Sequence, residues 1–182
     1  LALSTVGPVT LAGAYFNQTN LNQSGEITSL VDGDTDVATA GAIYAVGPVT
    51  LDAWYLDTQD VFDSYTIGAK AAFDVEGIKL GADARWVSLN LDNDDTDNTL
   101  AKIVLTADAG LVDAKVAYAT TDKEGGLTAL DADATNTLLG WNLTILNKAD
   151  ADYWQAVLGF DILSNLNLSA NYGNVQYVSG AN

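Results

Sequence analysis

The chain has 182 residues, 24 acidic against 7 basic side chains, a net charge of −17 and 48% apolar residues, so it is both greasy and acidic. That balance argues against a nucleic-acid partner, and the apolar content argues against an acidic disordered segment. With no Cys and no His, disulfide frameworks, zinc and iron–sulfur centres, and Ser-His-Asp or Cys-His catalysis are excluded.

The first elements come as a repeat. TVGPVTLAGAYFNQTN runs from Thr5 to Asn20, and AVGPVTLDAWYLDTQD from Ala45 to Asp60. In each copy Val-Gly-Pro reads as a tight turn and V-T-L as the start of a strand, with Pro where the ladder needs no donor. Further on, period-two alternation governs the chain. Tyr65, Ile67, Ala69, Ala71 and Phe73 share one face of a strand, with Thr66, Gly68, Lys70, Ala72 and Asp74 on the other. After Val75-Glu76-Gly77 the pattern returns, with Ile78, Leu80, Ala82, Ala84 and Trp86 opposite Lys79, Gly81, Asp83 and Arg85. That is a hairpin with a tight turn. Ala101 to Asp108 and Val112 to Tyr118 make the next hairpin, turning at Ala109-Gly110-Leu111. Trp154 to Ile162 and Leu166 to Tyr172 make the last, turning at Ser164-Asn165.

Connections alternate in size. Between the short turns lie long polar ones, Gln18 to Asp36, Asp92 to Asn98 and Thr121 to Asp152, and a shorter one near Asp60 to Asp63. All tight turns then fall at one end of an up-and-down sheet and the long loops at the other. This pattern predicts an all-β fold, a transmembrane antiparallel β-barrel of which about ten strands are present. Aromatic residues form two girdles: Tyr15, Tyr55, Tyr65, Trp86, Tyr118, Trp154 and Tyr172 toward the long loops, and Tyr44, Phe73 and Phe160 toward the turns. Tyr65 and Phe73 are eight residues apart. At about 3.3 Å per residue and a 45° tilt this is roughly 20 Å of height, near the apolar band of about 25 Å.

The face opposite the lipid carries five of the seven basic residues, Lys70, Lys79, Arg85, Lys102 and Lys115, with Asp74, Asp83, Asp108, Asp113 and Asp161. A charge in the bilayer midplane costs about 2–4 kcal/mol, so a shared register for these residues points to a wet lumen. Mixed charges on a pore wall select ions by sign. The expected lining is Lys70, Lys79, Asp83, Arg85, Lys102, Asp108 and Lys115. Hard oxygen ligands in the acidic loops suit calcium.

The order GPVTLAGAYF, a long loop, TAGAIYAVG and VTLDAWYLDTQDVFDSYTIGAKAAFD resembles the major outer membrane porins of Campylobacter and related bacteria. AYATTDKEGG, a polar loop with TLLGW, and DADYWQAVLGFDILSNLNLSANYG extend the resemblance over most of the chain. It implies a barrel of roughly sixteen to eighteen strands, usually trimeric, acting in the bacterial outer membrane as a general, mainly cation-selective pore with calcium near its constriction. Ten strands do not close such a barrel, so residues 1–182 are expected to be one β-barrel domain forming an internal portion of a longer porin. By resemblance, Asp131, just before TLLGW, matches an acidic constriction-loop position, and Glu26 or Asp32 matches another. The loop from Leu127 to Asn147 is expected to fold inward and narrow the pore, or to pack on a neighbouring subunit.

The expected function is therefore passive diffusion of ions and small hydrophilic solutes, with outer-membrane lipid and two further copies of the chain as partners and no enzymatic activity. The alternative is a calcium-binding surface adhesin or surface-layer protein.

Overall fold

A computed structural model describes residues 1–18, 34–94, 96–128 and 144–178. Its strands are β1 (Ala2–Val6), β2 (Val9–Phe16), β3 (Val37–Val46), β4 (Val49–Thr58), β5 (Phe62–Val75), β6 (Ile78–Leu91), β7 (Asp97–Asp108), β8 (Val112–Thr121), β9 (Ala149–Leu163) and β10 (Leu166–Val178). They form one antiparallel sheet in chain order, so each strand pairs with its neighbours in sequence and β1 and β10 are the two edges. No helix occurs among the described residues.

The tight turns explain this regularity. Gly7 and Gly47 adopt φ of 57° and 55° and are each followed by Pro. A left-handed residue before a φ near −65° is the pattern of a type II′ turn, whose twist matches that of the flanking strands. Glu76 and Gly77 both have positive φ, at 55° and 84°. This is the type I′ pattern, and Gly77 N–H also donates to Asp74 Oδ1 at 3.0 Å. Strands entering such turns continue in one register without slippage, from Phe62↔Leu91 to Val75↔Ile78 for β5 and β6.

Three boundaries differ most from those expected: β7 starts at Asp97, so Asp97 and Asn98 lie in a strand, and two further strands start early. β5 starts at Phe62 and β9 at Ala149, so Asp63, Asp150 and Asp152 lie in strands rather than loops. These carboxylates sit on the outward face at the long-loop end, where water solvates them, and the ladder continues beneath.

The two faces of the sheet differ in what covers them. On the inward face, at the long-loop end, Val87, Leu100, Ala119, Ala151 and Tyr153 are buried around Ile145. Phe62, Leu89 and Leu127 form an adjoining cluster. The outward face leaves Ile67, Leu80, Ile103, Leu105, Val116, Leu158 and Phe160 exposed.

Candidate functional site

Pairing places the inward side chains in rows across the strands. One row runs Asp52, Gly68, Arg85, Lys102, Ala119 and Tyr153 on β4 to β9. The next row toward the short turns runs Thr50, Lys70, Asp83, Val104, Ala117 and Gln155. Beyond it, Gly81, Thr106 and Lys115 precede a last row of Asp74, Lys79, Asp108 and Asp113. All seven residues expected to line a pore therefore share one face of the sheet, as a period of two requires once the hairpin registers are fixed.

Within that wall several of the charges are paired. Lys70 Nζ lies 3.2 Å from Asp83 Oδ2, and Lys79 Nζ lies 3.6 Å from Asp108 Oδ2. Both pairs are well exposed, with side-chain exposures of 40% or more. A third pair joins Arg85 Nη2 to Asp52 Oδ2 at 3.7 Å, and its side chains are only 19% and 11% exposed. The alternation of β4, with Thr50, Asp52 and Trp54 on one face, is the signal that places Asp52 in the lining, where the sequence reading had not included it. Glycines shape the same wall. A Cβ on Gly68 would collide with the Asp52 carboxylate, one on Gly81 with the Thr106 hydroxyl, and one on Gly159 with the Asp113 carboxylate. Each glycine thus lets a polar side chain lie flat over the neighbouring strand instead of projecting from the wall.

Near the long loops the wall changes character. The sequence suggests a charged inward face throughout, but above Arg85 it becomes buried and uncharged, with Val87, Leu89 and Leu100 beside Ser64, Thr66 and Asn98, where chain entering and leaving the long connection between β8 and β9 docks against it. Ile145 is fully buried there. Leu127 N–H donates to Asn98 Oδ1 at 3.1 Å, Asn147 N–H to Gly126 O at 3.2 Å and Thr121 Oγ1–H to Lys148 O at 2.6 Å. Of the expected inward loop, both ends do fold onto the inner wall, while residues 129–143 lie outside the described residues.

The outward face follows the opposite logic. Between the girdles it carries Leu51, Ile67, Ala69, Ala82, Ala84, Leu105, Val116 and Leu158, and no charged residue occurs on that face among the described positions. Outward carboxylates begin only at the rim, in the row Asp57, Asp63, Asn90 and Asp97 and at Asp150 and Asp152. The girdle meets this rim directly. Tyr15 hydroxyl donates to Asp36, Tyr55 to Asp57 and Tyr118 to Asp152, and the rings of Tyr118 and Trp154 lie 4.5 Å apart.

An apolar wall outside, a charged wall inside and aromatic residues at the boundary define a membrane barrel segment. Known structures agree. OpdL of Pseudomonas aeruginosa superposes with a TM-score of 0.75 at 20% identity, covering 98% of this chain and 54% of its own. OccK5 (OpdH) of the same organism gives 0.75 at 15% identity, with 98% and 54% covered. Its outer membrane protein OpdK gives 0.73 at 17% identity, with 94% and 51% covered. The fold is that of part of an outer-membrane porin barrel. The chain spans about half the length of these proteins. No family model and no curated protein matches it.

The expected calcium ligands Glu26, Asp32 and Asp131 lie outside the described residues. Among the described residues no group of three or more carboxylates is gathered as a metal centre.

Proposed function

We propose that this chain forms part of the wall of a water-filled outer-membrane channel through which ions and small hydrophilic solutes diffuse down their own gradients. One observation carries the reading: every strand-borne Lys and Arg faces inward, while the outward face between the girdles is apolar and charge-free. Exposed to water, that continuous apolar face would drive aggregation; against lipid it is the expected surface.

An open sheet edge has no place in a bilayer, because its unpaired N–H and C=O groups find no water there. β1 and β10 are such edges. We therefore read the chain as a portion of a longer porin whose further strands complete the barrel, in keeping with its coverage of about half of OpdL. The fold supports a channel rather than an enzyme. Cation preference rests on the net charge of −17, since the strand lining alone is close to balanced. Kinship with the major outer membrane porins of Campylobacter, a trimeric assembly and a calcium ion held by Asp131 with Glu26 or Asp32 belong to the proposal and rest on the resemblance in sequence.

The test is conductance of the intact parent protein in a planar bilayer, with the reversal potential measured under a salt gradient, with calcium present and chelated. Stepwise cation-preferring channels that change when calcium is removed support the whole reading. Well-folded protein that is soluble without detergent and does not conduct would refute it and leave a surface adhesin in its place.

A further inference from the structure

The three ion pairs seen on the inner wall among the described residues are not equivalent. Lys70–Asp83 and Lys79–Asp108 stand in solvent, where water and mobile ions already screen both members. Asp52 and Arg85 are the least exposed of the six side chains. Their strands are not neighbours: β5 runs between them, and at the crossing point it carries Gly68, paired with Asp52 on one side and with Arg85 on the other. The Asp52 carboxylate occupies the space a Cβ of Gly68 would fill. Among the described residues its Oδ2 accepts no hydrogen bond, and Arg85 at 3.7 Å is the charge beside it. On the far side of Arg85, directly opposite on β7, stands Lys102.

Two cations placed opposite each other across a ladder repel, and in a channel their fields add. We propose that Asp52, seated over Gly68, is a specificity-determining residue of the channel: its carboxylate offsets the field of Arg85 at this height of the wall and so shifts the channel's ion preference toward cations. Gly68 is the positioning residue that makes the pairing possible. This inference rests on the channel reading above.

Its test uses the intact parent porin in planar bilayers at low salt, where fields are least screened. Removing one charge about 7 Å from a passing ion, in a water-like dielectric, changes the local concentration of each ion sign about threefold in opposite directions, so the cation-to-anion permeability ratio moves about five- to tenfold. Asp52→Asn lowers the ratio by that factor and Arg85→Gln raises it. The double variant returns it to within about twofold of the native value, which a merely structural role for Asp52 does not predict. Gly68→Ala, which keeps every charge but displaces the carboxylate, changes the ratio as well, whereas Gly81→Ala on the same wall does not. A native channel that conducts while Asp52→Asn and Arg85→Gln leave its selectivity unchanged overturns the inference and spares the channel reading; a native protein that does not conduct overturns the channel reading itself. Where Asp52→Asn does not assemble, Arg85→Gln alone decides, since an unchanged ratio there also overturns the inference.

Discussion

Replacing Ile145 by Ala probes how the connection between β8 and β9 is held against the inner wall. Ile145 is fully buried among Val87, Leu100, Ala119, Ala151 and Tyr153, with Leu146 and Val175 packed against the cluster. Truncating a buried Ile to Ala costs about 2–5 kcal/mol, the upper end applying where the site cannot collapse. Here one wall of the site is loop chain, which can shift, so about 2–4 kcal/mol is expected, and it falls on docking of the loop ends rather than on the ladder beneath. Two amides report that docking, Leu127 N–H on Asn98 Oδ1 and Asn147 N–H on Gly126 O. Hydrogen exchange of the parent protein in detergent should show both exchanging about 30- to 700-fold faster, at tenfold per 1.4 kcal/mol. Amides in the lower half of β9, such as Leu158, should keep their protection. Unchanged exchange at Leu127 and Asn147, or equal acceleration in β9, would refute the idea that Ile145 pins the loop ends independently of the sheet.

Further expectations concern the two walls. Ala84→Lys places a charge on the outward face between the girdles and should cost about 2–4 kcal/mol in reversible folding of the parent protein into vesicles, whereas Ala72→Lys on the inward face should change stability by less than about 0.5 kcal/mol. Equal effects would remove the distinction between lipid and lumen. Lys70→Gln breaks an exposed ion pair, so the denaturation midpoint should barely move, and a shift worth more than about 1 kcal/mol would mean that the pair is far less solvated than its geometry shows. The Tyr118–Trp154 pair should give a coupling of about 0.5–1.5 kcal/mol in a double-mutant cycle with Leu at each position.

Period two was enough to sort Lys70, Lys79, Asp83, Arg85, Lys102, Asp108 and Lys115 onto one wall, because a strand of the hairpin has no other way to arrange them once the Gly-containing turns fix register. Asp52 obeys the same rule yet escaped it, lying in a strand whose lower half, Val49-Thr50-Leu51, carries no charge to mark the polar face. Its partnership with Arg85 was not legible at all. That contact crosses an intervening strand, and only the missing side chain of Gly68, seen in its place between the two, lets it form.

What a uniform alternation hides is that the polar set changes sides part-way up the strands. In β6, Lys79, Asp83 and Arg85 face inward below Trp86, but above it the inward positions are Val87, Leu89 and Leu91, and the outward ones are Ser88 and Asn90. β5 inverts between Tyr65 and Phe62, and β9 between Trp154 and Ala149, where Asp150 and Asp152 turn outward as Ala151 and Tyr153 turn in. The inversion falls at the aromatic girdle each time. Below it the outer wall meets hydrocarbon and the inner wall meets water, so charge must face in; above it the outer wall meets water and the inner wall meets the docked ends of the loop, so charge must face out. The height at which polarity inverts therefore reads out two levels together, the upper limit of the apolar band and the depth to which the described ends of the connection between β8 and β9 cover the inner wall. In β6 that height is one residue above Arg85, which places the Asp52–Arg85–Lys102 row directly beneath the clusters that Ile145 and Leu127 join.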